Sequence, residues 1–168
     1  MTVVRRALPG DASGLLHLIG QLSAHHGDIA TIGLAELERD VFTAEPWATA
    51  LVAEVDDVLA GYAILYRLYR AQYGQRGMNL HHLYVEPARR GSGIGRLIVE
   101  AARREAEAAG CAYMRVQTEP ENLAAQRFYR AVGFTPSDTA SAKLRLDLTG
   151  TTAQRPDVSP PGRTTTLR

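Results

Sequence analysis

A chain of 168 residues, 45% of them hydrophobic, suits one globular domain able to bury about 70% of its unfolded surface. Nineteen basic against eighteen acidic side chains, a net charge of +1, leave no polyelectrolyte footprint for nucleic acid, and no apolar stretch approaches the roughly 18 residues of a membrane span. The lone cysteine, Cys111, excludes an internal disulfide and a thiolate metal cluster, and the opening Met-Thr-Val-Val-Arg-Arg lacks the order of a signal peptide, so a cytoplasmic protein is expected.

Val3 to Arg6 is a short strand, broken by Pro9-Gly10-Asp11. Leu15, Leu18, Ile19 and Leu22 then recur at i, i+3, i+4 and i+7, the apolar stripe of a helix running to about Ala24. His25-His26-Gly27 ends it. Adjacent histidines on a helix point about 100° apart and do not chelate one ion together, so they read as solvated groups at a helix end rather than a metal site. Leu34 to Phe42 repeats the helical pattern, and Pro46-Trp47 closes that section. Leu51 to Val55 and Leu59 to Leu68 read as two strands joined by the acidic turn Asp56-Asp57. The first is almost continuously apolar, as in a strand covered on both faces. Tyr62, Tyr66 and Tyr69 belong to the core or line a pocket. Ala71 to Gly77, with two glycines, is expected to be a mobile loop.

Leu80 to Leu97 is the stretch around which the rest is organised. An apolar strand to Val85 meets Pro87, then Gly91, Gly93 and Gly95 at alternate positions, then a helix of roughly Gly93 to Ala109 with Ile94, Leu97, Ile98, Ala101 and Ala102 at helical spacing. Free amides at such a helix start favour an anion. Two common phosphate motifs fail: Gly-x-Gly-x-x-Gly counted from Gly91 ends on Arg96, and no Gly-Lys-Ser/Thr follows. Gly110 is a plausible end to the helix. Ala112 to Thr118 is a strand, and strand, helix, strand at this spacing implies a parallel pair with a right-handed crossover. Cys111, beside that strand, reads as packing. Asn122 opens a helix through Ala131, Lys143 to Leu148 is a last strand, and residues 149–168 have the composition of a disordered tail.

The letters that do match are Arg/Gln-x-x-Gly-x-Gly/Ala, at Arg90, Gly93 and Gly95. With Tyr84-Val85-Glu86-Pro87 before them and Asn122-Leu-Ala-Ala-Gln-Arg-Phe-Tyr129-Arg-Ala-Val-Gly-Phe134 after, the chain resembles the GCN5-related N-acetyltransferases (GNAT) over about Val3 to Leu148. Within that superfamily it looks most like the diamine and thialysine N-acetyltransferases, through Asp40-Val-Phe, Leu51-Val-Ala-Glu54 and His81-His82-Leu-Tyr-Val85. The resemblance implies an α/β (α+β) fold: a mixed central sheet of about six to seven strands flanked by about four helices, in a single domain over 1–148. It also implies transfer of an acetyl group from acetyl-CoA to a primary amine of a small molecule, in a homodimer; on the composition and residue spacing above, no metal, nucleic acid or membrane partner is expected.

By the family pattern, backbone groups of Leu83, Tyr84 and Val85 hold the pantetheine and thioester, with Val85 at the oxyanion position. Amides of Arg90, Gly91, Ser92, Gly93, Ile94, Gly95 and Arg96 take the pyrophosphate, and Asn122 touches the cofactor arm from the other side. Tyr129 matches the tyrosine that protonates the leaving thiolate. In the family the region of the first two helices forms one wall of the acceptor site, which makes Asp28, Glu36 and Glu38 candidates there, and Tyr66 and Tyr69 are candidates for the same side. Where the subgroup has Leu-Glu-Asp, this chain has Leu80-His81-His82. Imidazoles with a pKa near 6.5 do not draw a polycation as two carboxylates do, but one is a competent base near neutral pH. Strand alternation sets the two on opposite faces. His81 replaces the glutamate and is the candidate base, with His82 or water as alternatives. A protein lysine or N-terminal acceptor, and a catalytically silent acyl-CoA-binding module, are the competing readings of the whole chain.

Overall fold

A computed structural model describes residues 1–136. The expected last strand over 143–148 and the tail from 149 lie outside the described residues. Within them five strands form one sheet in the order β1 (Thr2–Arg6), β2 (Thr49–Val55), β3 (Val58–Arg70), β4 (Gln75–Val85), β5 (Tyr113–Val116). That is fewer than the six to seven implied. All neighbouring pairs are antiparallel except β4 and β5, joined by α3 (Ile94–Ala108) as the sequence expects. The other helices are α1 (Ala12–His25), α2 (Leu34–Val41) and α4 (Leu123–Ala131). Among the described residues no helix is long and apolar enough to cross a membrane.

The sheet separates two cores, and β2 shows why its sequence is apolar throughout. Leu51, Ala53 and Val55 pack with Ile94, Ile98 and Ala102 of α3, while Ala50 and Val52 pack with Leu15, Leu18 and Leu22 of α1. Side chains alternate, but both faces are covered. The α1 stripe read from the sequence is the buried one. β2 reverses into β3 through Asp56 and Asp57, with φ of 50° and 63°, the pair of left-handed residues of a tight hairpin turn. Arg5 of β1 clamps the start of α1, reaching Asp11 at 2.6 and 3.0 Å and Glu54 of β2 at 2.5 Å.

Two expectations are corrected here. Ala71 to Gly77 is not a loop along its length: a 3-10 turn over Ala71–Tyr73 and a left-handed Gly74 reverse the chain, and β4 already begins at Gln75. Gly77 lies inside the strand, where the Tyr113 ring fills the space a Cβ would take.

The second correction concerns His81 and His82, which do not sit on opposite faces. Leu65 pairs with Leu80 and Ile64 with His82, so β4 carries one extra residue at His81, a β-bulge. Leu80, Leu83 and Val85 all pack toward α3. Such a spacing from 80 to 83 is possible only if the alternation slips by one. The two histidines therefore project side by side, rings stacked at 4.4 Å and 17°.

Candidate functional site

The bulge also ends the β4–β5 ladder, which runs from Gly77 to Leu80 and stops. Beyond it Glu86 donates its N–H to Ala60 O at 2.9 Å. By antiparallel alternation Leu83 and Val85 then turn their own N–H and C=O groups away from β3, toward a gap that holds no strand among the described residues. α4 forms the far wall of that gap. Asn122 starts α4 by accepting the Ala125 N–H at 3.0 Å on its side-chain oxygen, a standard N-cap.

One end of the gap is a cavity of about 530 Å³ beneath the glycine-rich loop, lined by Leu83 to Val85, Arg89, Arg90, Gly91, Gly93 to Arg96 and the α4 residues Phe128 and Tyr129. Gly93 holds φ at 88° where the chain enters α3, a conformation a side chain would strain. The first bond of the helix is Leu97 N–H to Gly93 O at 3.1 Å, so the amides of Ile94, Gly95 and Arg96 precede the ladder and are free for a ligand. Gly95 serves a different end: a Cβ there would lie 3.3 Å from the Phe128 ring, so its absence lets α4 approach α3. Ser92 is spent on the loop, donating its hydroxyl to Arg89 O at 2.6 Å. Arg90 fastens the loop to the strand through Val85 O at 3.0 Å, and Arg96 reaches Ala131 O at 3.3 Å.

The other end is a cavity of about 470 Å³. His81, His82, Tyr66 and Asn79 form one side, Gln117 to Glu119 and Asn122 another, and Ser23, His26 and Asp28 a third. The two cavities share Leu22, His26, Leu83, Asn122, Ala125 and Tyr129, so they are two ends of one passage. Tyr129 stands at the junction, held edge-on between Phe128 at 5.3 Å and Phe134 at 5.6 Å. Burial pushes its phenol up to about 12, which keeps it protonated near neutral pH.

His81 is exposed on the cavity wall, 5.4 Å from the Tyr66 ring, and desolvation by the surrounding walls lowers its pKa. His82 lies deeper, its Nδ1 3.1 Å from the hydroxyl of Tyr62. Burial first, then His81 and His26, lower His82 to about 4. Tyr62 is fully buried, as the core reading has it, and burial raises its pKa.

Of the acceptor-side candidates, the structure gathers Asp28 and Tyr66 into the cavity. It leaves the others out. Glu36 caps its own helix, accepting the Gly33 N–H at 3.1 Å, Glu38 is on an exposed helix face, and Tyr69 is 68% exposed. Three residues were missed. His26, read as solvated, borders both cavities, and Glu119 lies in the turn before α4. Asn79 is 4% exposed and accepts from Arg115 Nε at 3.3 Å. A lone amide inside the apolar run Met78-Asn79-Leu80 was the signal for it.

The acetyltransferase (GNAT) family model matches residues 21–134. Thialysine N-epsilon-acetyltransferase of Bos taurus is 30% identical over 141 residues, spanning 78% of this chain and 82% of its own. L-methionine sulfoximine/L-methionine sulfone acetyltransferase of Salmonella typhimurium is 35% identical over 85 residues, 51% of this chain and 49% of its own. Among solved structures, an aminoglycoside acetyltransferase from an uncultured soil metagenomic sample shares the fold, with a TM-score of 0.74 at 17% identity over 88% of this chain and 97% of that one.

Proposed function

Because the chain belongs to the acetyltransferase (GNAT) family and is an acyltransferase, we propose that it transfers the acetyl group of acetyl-CoA to a primary amine of a small molecule by direct attack on the thioester. The observation that carries this reading is the passage itself: an anion-accepting helix start, an unpaired strand edge, a protonated phenol and an imidazole follow one another along a single gap.

The free amides of Ile94 to Arg96, with Arg89, Arg90 and Arg96 around them, suit a pyrophosphate. Leu83 offers its backbone N–H and C=O, and Val85 its N–H, to the amide-bearing arm of the cofactor, while Val85 O is held by Arg90. In this reading the Val85 N–H stabilises the oxyanion that forms when the amine attacks the carbonyl carbon. Asn122 keeps its side-chain NH₂ available to the arm while its oxygen caps α4. In the step itself the amine nitrogen bonds to the carbonyl carbon and the carbon–sulfur bond breaks. His81 takes the proton the amine must lose, and Tyr129 donates to the departing thiolate.

On the acceptor side Asp28 and Glu119 are the carboxylates of the wall, and no arginine or lysine lines it among the described residues. That balance supports an amine carrying a further positive charge over one carrying a carboxylate, and it partly restores the attraction lost where histidines replace acids on β4. The acting unit in this reading is a homodimer in the cytoplasm.

The test is thiol release from acetyl-CoA across polyamines, thialysine, amino acids and aminoglycosides, with acetyl-CoA affinity measured by calorimetry on the same preparation. Release with one class of amine is the expected result. Tight binding without release on any of them redirects the search to a protein amine or a silent module, and absence of binding overturns the reading.

A further inference from the structure

We propose that Tyr62 is a positioning residue: its buried hydroxyl donates to Nδ1 of His82, fixes that ring as the neutral Nε2–H tautomer, and leaves His81 as the member of the stacked pair that takes up the amine's proton. The last step rests on the acetyltransfer reading above; the tautomer does not.

The argument begins with a satisfaction problem. Tyr62 has no solvent exposure, and among the described residues its hydroxyl has one partner, His82 Nδ1 at 3.1 Å. Its neighbour Tyr84, 6.2 Å away between ring centres, has its hydroxyl engaged with Gln21 Oε1 at 3.0 Å. If Nδ1 carried the hydrogen and donated to the phenol oxygen, the phenol's own O–H would be a buried donor with no acceptor. If the O–H donates, Nδ1 accepts and both groups are satisfied; the hydrogen of the neutral ring must then sit on Nε2.

That bond has a consequence for the pair. Protonating His82 would place a hydrogen on Nδ1, facing a phenol that is itself a donor, and would set a cation against His81 at a stacking distance of 4.4 Å. Two imidazolium rings at that separation repel. Holding one ring neutral lets the other accept a proton. The low pKa of His82 agrees with this division. The other titratable groups facing the pair are Tyr66 of β3, His26 and Asp28 beyond α1, Glu119 before α4 and Tyr129 on it. The bulge is what makes the coupling possible, since a regular strand would keep the rings on opposite faces.

The test is ¹⁵N NMR of the histidine side chains in the full chain, with His82 identified by its absence in His82→Gln, alongside pH profiles of kcat/KM. Wild type is expected to show His82 Nδ1 unprotonated and Nε2 protonated between pH 6 and 8. In Tyr62→Phe the Nδ1–H tautomer should appear, and the acid limb of kcat/KM should move to higher pH by up to about tenfold in proton concentration, with the KM for acetyl-CoA unchanged. An Nδ1–H His82 in wild type overturns the proposal even if the variant does not fold. So does a Tyr62→Phe protein that melts earlier but keeps the same tautomer and acid limb. Should the protein acetylate nothing, the tautomer result still decides the Tyr62 contact, and it is the acetyltransfer reading that falls.

Discussion

Replacing Tyr129 with phenylalanine removes one oxygen from the centre of the passage and leaves the ring packed against Phe128 and Phe134. The size of the effect follows from the burial of the phenol. With its pKa pushed up to about 12 and a thiol titrating near 8.5, complete proton transfer to a thiolate runs uphill by about 3.5 in pKa, roughly 5 kcal/mol. In the proposed reaction, what the hydroxyl supplies readily is a hydrogen bond to sulfur as charge develops there. Bonds to charged groups contribute about 1.5–3 kcal/mol, which corresponds to roughly a 10- to 150-fold loss of kcat when the oxygen is removed. Thiol release at saturating acetyl-CoA and amine measures it, with calorimetric acetyl-CoA affinity expected to stay within about threefold. A loss of kcat below about threefold takes Tyr129 off the reaction path; a loss beyond about 10⁴ means full general-acid transfer and refutes the ranking of pKa values used here. The wild-type profile carries a second check, since a phenol with this pKa gives no alkaline limb below about pH 10.

Two further predictions concern the scaffold. A Cβ on Gly61 would stand 2.7 Å from Tyr84 O and 3.2 Å from Ile98 Cδ1, so Gly61→Ala should destabilise the fold by about 1–3 kcal/mol in urea unfolding; a variant within about 0.5 kcal/mol of wild type means β3 and β4 separate more easily than the packing implies. The hydrogen bond from Arg5, and after it that of the Leu8 amide, holds the Asp11 carboxyl below its ordinary range against the opposing effect of burial. A depressed carboxyl stabilises the fold above its unfolded value, near 3.9, and that contribution fades as pH falls through the folded value. The urea midpoints of wild type and Asp11→Asn should therefore differ at pH 6 and converge below about pH 4; a gap that stays constant over that range assigns the difference to packing.

Local signals were legible in this chain and pairing signals were not. The α1 stripe, the Asp56-Asp57 turn, the glycine-rich entry to α3 and the Asn122 cap each depend on residues within one turn of one another, and each stands where the letters put it. Position on a face of β4 depends on its partner. His81 and His82 alternate only if every residue of β4 opposes one of β3, and the extra residue at His81 is set by the register with Ile64 and Leu65, which no short window contains. The acceptor wall failed for a similar reason. Glu36 and Asp28 are equally acidic and equally near a helix end, yet one closes on Gly33 and the other lines the cavity. Tyr66 and Tyr69 differ in phase, and phase becomes meaningful only once the cavity side of β3 is known. Ala71 to Gly77 misled through its glycines, one of which makes a reversal while the other makes room for Tyr113.

Among the described residues the edge of β4 is open beyond Leu80, and such an edge is of a kind that proteins ordinarily guard, because unpaired N–H and C=O groups invite a strand from another molecule. Here the guard is steric. Adjacent strands sit about 4.8 Å apart, and a whole incoming strand needs side-chain room on both of its faces, whereas this edge faces α4, which is packed against α3 where the Phe128 ring meets Gly95. A strand added at this edge would have to fit side chains between β4 and α4, a demand that an unbranched chain bearing amides does not make. The placement of α4 thus bears at once on association through this edge and on the shape of a ligand that could pair with it.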